Sequence, residues 1–258
     1  MQTSTVLGII IGIFTLIGGL ILKGANPSAL INPAALVIIF VGTTAAILNA
    51  FPLHQFKKLG VMFKKVFGKS ATFDKVKIAK DFVTFSHIVR KDGLLALENI
   101  KIEDRFMDTG ISMVVDGVEA EVIETVLESQ IQAQKNRHKL GATLFAQAGM
   151  YAPTLGVLGA VIGLVAALGN LSDIEKLGHS IAAAFIATLF GIFSGYVLWH
   201  PFSNKLKQLS QEEIEAKEMI IQAVLSLQAG DPPRIMQFKM LSYIPDKQKD
   251  VLMKEWEK

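Results

Sequence analysis

The stretch YAPTLGVLGAVIGLVAAL, Tyr151–Leu168, decides the fold. It carries no charge and lies inside a longer uncharged run, residues 140–172. The hydrocarbon core of a bilayer takes about 20 apolar residues per helix, so a membrane-crossing helix is predicted here. Three other stretches read the same way. Val6–Leu22 ends at Lys23. A second runs from about Pro33 to Phe51, opened by Asn32-Pro33 and closed by Pro52. A third runs from about His179 to Trp199. Proline suits the first position of a helix because it has no N–H to lose there. A cleaved export signal is a poor reading of Val6–Leu22, because no Lys or Arg precedes it and a second apolar run follows.

The charges confirm this partition. Of the 26 Lys+Arg and 23 Asp+Glu, residues 1–52 hold one and residues 53–139 hold 27. Residues 140–199 hold three (Asp173, Glu175, Lys176), and residues 200–258 hold 18. The expected organisation is therefore two membrane helices in 1–52, a polar helical region in 53–139, two more membrane helices in 140–203, and a polar tail in 204–258. The fold class is all-α: a polytopic membrane protein with four transmembrane helices and a helical cytoplasmic domain. The short loops 23–33 and 169–178 hold one cation each, whereas 53–139 holds 15 and the tail nine. The excess of Lys and Arg on cytoplasmic segments then puts the short loops outside, and both termini and the middle region in the cytoplasm of a bacterial inner membrane. The absence of Cys excludes thiol chemistry and disulfide scaffolds. A net charge of +3, with no basic patch interleaved with aromatics, gives nucleic acid no footprint.

Within the polar blocks, Pro52–Gly68 is amphipathic. Phe56, Leu59, Phe63, Val66 and Phe67 recur at helical spacing, with Lys57, Lys58, Lys64 and Lys65 between them. This reads as an interfacial helix beside anionic headgroups; the alternative is a helix packed on its own domain. Asp74–Leu97, Ala120–Lys139 and Asn204–Ala229 have helical periodicity. Turn signals stand at Asp92-Gly93, Thr109-Gly110, Asp116-Gly117 and Gly230-Asp231-Pro232-Pro233. The last segment, Arg234–Lys258, is short and mixed.

Two spans carry small residues at steps of three and four. On the third they are Gly156, Gly159 or Ala160, Gly163, and Ala166 or Ala167. On the fourth they are Ala184, Ala187 or Thr188, Gly191, and Ser194 or Gly195. Such stripes let helix backbones approach closely in lipid. They suit either contact between these two spans or a surface for a separate helix. Pro153 and Pro201 bracket the same ends of the two spans; Pro201 reads as helix punctuation and Pro153 as a kink or hinge.

An absence decides what the membrane part does. Inside the four spans there is no Asp, Glu, Lys or Arg. Ion pathways rely on an ionisable group at membrane depth, yet the spans offer only hydroxyls: Thr43, Thr44, Thr154, Thr188, Ser194 and Tyr196. A chain of this kind that moves ions needs a partner to bring the carboxylate. Catalysis has no support. No carboxylates pair in a membrane cleft, no glycine loop suits phosphate, and His54, His87, His138, His179 and His200 lack ligand spacing.

Several motifs together resemble the MotA family of flagellar stator channel subunits. Tyr151–Leu164 (YAPTLGVLGAVIGL) is similar to that family's third membrane helix, and Ala187–Pro201 (ATLFGIFSGYVLWHP) to its fourth. Asn32-Pro33-Ala34-Ala35 is similar to the entry of its second helix, and Arg90–Glu98 (RKDGLLALE) to its charged cytoplasmic motif. The resemblance implies a homopentameric ring around two copies of MotB. In the family, MotB supplies an ion-carrying Asp and a peptidoglycan anchor, and ion flow turns the ring against the rotor protein FliG. It further implies that Arg90 and Glu98 face the rotor. Pro153 and Pro201 would couple ion flow to conformation, and Thr188 and Tyr196 would lie on the ion pathway near the partner. Sodium-type relatives carry a threonine at the position of Ala160. Alanine offers no side-chain oxygen there, so a proton is favoured over sodium; no cofactor is expected. The related ExbB and TolQ energisers have three membrane helices rather than four and lack the Arg90–Glu98 motif. A self-contained transporter is disfavoured by the missing carboxylate.

Overall fold

The computed structural model describes residues 3–68 and 73–256. Its helices are α1, Thr3–Leu22; α2, residues 33–50; α3, Leu53–Phe56; α4, Leu59–Phe67; α5, Lys75–Asp92; α6, Arg105–Val115; α7, Ala120–Leu168; α8, Ile174–Gln228; α9, Pro233–Leu241; and α10, Asp246–Trp256. Short 3₁₀ turns occupy Pro27–Leu30 and Leu94–Asn99, and no strand occurs among the described residues. Four helices are long and apolar enough to cross a membrane: α1, the α2 region, α7 and α8. The chain is thus an all-α, multi-pass membrane protein.

Side-chain caps set several helix starts. Asn32 Oδ1 accepts from the Ala35 N–H at 3.1 Å, with Pro33 next to it. Asp74, Asp104 and Asp173 cap α5, α6 and α8 in the same way, each satisfying an N–H that the helix itself leaves unpaired.

The chain folds into two compact units, residues 1–70 with 138–208 and residues 71–137 with 209–258. The first holds the membrane helices. Gly42 of α2 abuts Leu155 of α7, where an added methyl group would stand 3.3 Å from Leu155 Cδ1. Ala35 of α2 is buried beside Ile186 and Ala187 of α8. Outward side chains such as Phe14, Val157, Val165, Phe185 and Ile192 are exposed and apolar, as lipid-facing positions require.

The segment 53–68 joins this unit rather than the polar one. Its apolar face packs on protein: Val66 is fully buried with Ala142, Phe145, Phe202 and Leu206. Phe63 meets Phe145 edge-on at 5.0 Å, and Phe67 meets Phe202 at 5.3 Å. The expected single helix is broken into α3 and α4 at Lys57-Lys58.

The second unit buries Phe82, Leu97, Ile123, Leu127, Met219, Ile220 and Leu227 in one core. Two sequence expectations change here. Thr109-Gly110 is no turn; it lies inside α6. Gly110 is there for closeness, since a methyl on it would stand 2.9 Å from Val224 Cγ2 on α8. The mixed C-terminal segment forms α9 and α10, with Met236, Met240 and Leu252 buried. The turns at Gly93, Gly117 and Gly230 hold, each with positive φ, a conformation glycine adopts without a Cβ penalty.

Candidate functional site

The third and fourth spans do not end where composition changes. α7 runs unbroken from the polar block into the apolar one, with Pro153 inside it, and α8 continues through Pro201. Neither proline terminates a helix, so the punctuation reading of Pro201 is incorrect. A proline inside a helix forfeits one hydrogen bond and crowds the carbonyl four residues earlier. The chain meets this at Pro201 by widening the preceding turn. Residues Ser194–Trp199 form a π-helical segment, and the His200 N–H bonds to the Gly195 carbonyl, five residues back. A second π segment, Val37–Val41, lies in α2. Such single widened turns concentrate at functional sites.

The small-residue stripes face each other within the chain. A methyl on Gly156 would stand 3.0 Å from the Ala187 carbonyl oxygen and 3.2 Å from Gly191 Cα. On Gly159 it would stand 2.7 Å from Ala187 Cβ, and on Gly163 2.8 Å from Ala184 Cβ. On Gly191 it would stand 2.6 Å from the Ala152 carbonyl oxygen. These faces are therefore spent on the α7–α8 contact, not left open for another helix. Gly195 extends the contact into the π segment: a methyl there would stand 2.9 Å from both the Gly149 carbonyl oxygen and Pro153 Cγ. So Pro153, Gly195 and the widened turn before Pro201 form one packed arrangement.

The remaining membrane candidates are spread. Thr188 is half-buried, and its hydroxyl donates to the Gly156 carbonyl at 3.3 Å and lies 3.4 Å from the Ala184 carbonyl. Ala160 is half-buried on α7. Tyr196 is 66% exposed, with His200 as ring neighbour at 5.5 Å. Thr154 faces outward and bonds its own helix backbone.

Burial without a hydrogen-bond partner sets Thr43 apart from the other hydroxyls of the spans. Thr43 is 2% exposed, and neither its hydroxyl nor the buried Trp199 Nε1 has a hydrogen-bond partner among the described residues. Phe40 meets Trp199 edge-on at 6.4 Å. Nothing in the sequence marks Thr43 as more than one hydroxyl among several.

In the second unit Arg90 lies in the last turn of α5 and Glu98 in the following 3₁₀ turn, separated by Gly93 at φ 82°. Both are exposed and make no ion pair among the described residues. Arg90 borders a groove with His87, Arg234, Phe238 and Trp256. Elsewhere in the unit charges are tied together. Lys75 pairs with Glu215 at 2.8 Å, which holds the Glu215 carboxyl below its usual range, and Gln211 assists. Gln134 bridges Glu213 and Lys217, and Lys217 sits 5.1 Å over the Phe106 ring.

Motility protein A of Bacillus subtilis is 45% identical over 96% of this chain and 92% of its own length. The chain belongs to the MotA/TolQ/ExbB proton channel family. The family profile itself matches residues 98–219, which include α7 and the membrane part of α8. Solved structures of MotA/TolQ/ExbB relatives agree. The flagellar MotAB stator complex from Bacillus subtilis superposes with TM-score 0.89 at 46% identity, covering 95% of this chain and 96% of that one. MotAB of C. jejuni gives TM-score 0.90 at 29% identity, over 95% and 97%. Membership makes the chain a channel-family subunit rather than an enzyme.

Proposed function

We propose that this chain is the ring-forming subunit of a flagellar stator. It works with a MotB-type partner whose membrane aspartate carries the ion. The observation that carries the reading is the absence of any Asp, Glu, Lys or Arg from the four spans of a proton-channel family member. A charge at membrane depth is costly unless it has a function, and here that function is left to the partner. The MotAB complexes that this chain resembles support the pairing. Ala160, with no side-chain oxygen to replace a sodium hydration shell, favours the proton. Each proton crossing 100 mV supplies about 2.3 kcal/mol, several times RT.

In this reading five copies surround two partner chains in the bacterial inner membrane, with both termini cytoplasmic, as the lysine distribution supports. The closely packed α7–α8 pair moves as one body. The Pro153–Gly195 contact and the widened turn before Pro201 supply the place where helix geometry yields. Arg90 and Glu98, exposed and unpaired, act on the rotor protein FliG. The test is genetic: cells lacking the chain should assemble flagella yet not swim, and swimming should return at the same speed in sodium-free medium. Absent flagella, or motility that requires sodium, would contradict the function or the choice of ion respectively.

A further inference from the structure

At the polar ends of its helices the first unit carries lysines without carboxylate partners. Lys57 and Lys58 stand at the joint between α3 and α4, Lys64 and Lys65 on α4, Lys139 on α7, and Lys205 and Lys207 on α8. Phe63, Phe67, Phe145, Trp199 and Phe202 form one aromatic knot that ties these three helices together. The knot holds together α4, α7 and α8, the helices on or beside which this collar of lysines stands, just beyond the apolar runs. None of them makes an ion pair among the described residues, and residues 1–70 contain no Asp or Glu. Elsewhere Lys75, Lys80, Lys135 and Lys239 of the second unit have carboxylate partners, and in the first unit Lys176 pairs with Asp173 of the short loop between α7 and α8. Leu53 and Val61, both exposed, interrupt the lysines on α3 and α4. The apolar side of α4 is already spent on protein, so its outer face presents ammonium groups with isolated apolar side chains between them. That composition fits a surface lying at the headgroup level of a bilayer.

We propose that this collar binds anionic phospholipid headgroups, whose phosphates serve as the counter-ions the chain does not provide. A lysine ammonium donates to phosphate oxygens, and apolar side chains such as Val61 reach the acyl boundary. The inference requires only that the chain spans a bilayer, so it stands or falls separately from the stator reading.

The test uses the full chain with Trp256→Phe, which leaves Trp199 in the aromatic knot as its single tryptophan. The protein is reconstituted in phosphatidylcholine bilayers holding a small fraction of brominated lipid, and quenching of Trp199 is measured. Brominated phosphatidylglycerol should quench more strongly than the same fraction of brominated phosphatidylcholine. Each surface lysine contributes about fivefold to anionic attraction. The combined variant Lys64→Gln, Lys65→Gln, Lys205→Gln and Lys207→Gln should therefore lose the preference, with Trp199 still quenched. Raising salt on the unsubstituted lysines should weaken the preference in parallel, because the screening length falls to about 3 Å at 1 M. Equal quenching by the two headgroups, a preference that survives the four substitutions, or one indifferent to salt would each overturn the proposal.

Discussion

The Thr188 hydroxyl donates to the Gly156 carbonyl at 3.3 Å, from one membrane helix to the other. A methyl group added to Gly156 would stand only 3.0–3.2 Å from backbone atoms of Ala187, Thr188 and Gly191. Backbone cannot rotate out of the way. Gly156→Ala should therefore destabilise the α7–α8 pair by about 1–3 kcal/mol. Thr188→Val, which removes one interhelical hydrogen bond, should cost about 1 kcal/mol. Thermal unfolding of the detergent-purified chain measures both, and a Gly156→Ala variant as stable as the parent would refute the tight contact.

Pro201 separates stability from motion. Alanine there restores an N–H and relieves the crowding that the π turn accommodates. Pro201→Ala should leave thermal stability equal or higher, yet slow swimming. If stability and swimming fall together, the proline is only a packing element.

Arg90 and Glu98 touch little of their own unit, so reversing their charges should barely alter folding. Surface changes of this kind stay within about 0.5 kcal/mol. Arg90→Glu and Glu98→Lys should each lower swimming speed while the chain stays at normal abundance in the membrane. Unchanged swimming in the double variant would remove them from the rotor contact.

Acid should loosen the second unit through Asp231. Its carboxylate accepts from Lys239 Nζ at 2.6 Å and from the Ser226 hydroxyl, and these bonds hold its pKa below the usual 3.8. A depressed folded-state pKa means that the stabilisation is fully present above the unfolded value. It is lost as pH falls below about 4 and through the lowered folded value. Asp231→Asn should be less stable than the parent at pH 7, with the difference shrinking toward pH 3. An unfolding series across that range checks the sign.

Much of the fold was legible because hydropathy and charge segregate so sharply: Lys23, Asp173 and Lys176 alone nearly outline the membrane blocks. Local signals misled where tertiary contact prevailed. Thr109-Gly110 has the chemistry of a turn, but its glycine serves the approach of Val224 inside a helix. Pro201 looks like a stop, yet the long helix absorbs it after a widened turn, while Pro153, read as a kink or hinge, lies inside a continuous helix against Gly195. The stripes from Gly156 to Gly163 and from Ala184 to Gly195 signalled close packing, but not with which neighbour. Amphipathic spacing in Pro52–Gly68 likewise could not distinguish a lipid surface from the Phe145–Phe202 surface it packs on. Thr43 stood among the candidate hydroxyls, but its burial was not legible, because that depends on the helices around it.

The account rests on a membrane part that has no acid of its own. The most direct measurement is proton flux into vesicles holding this chain with its partner, compared with the same complex after the partner's membrane Asp is changed to Asn. Flux should appear in the first and fall to the level of empty vesicles in the second. Flux that persists without the partner's carboxylate would show that these four helices conduct by themselves, and would contradict the account.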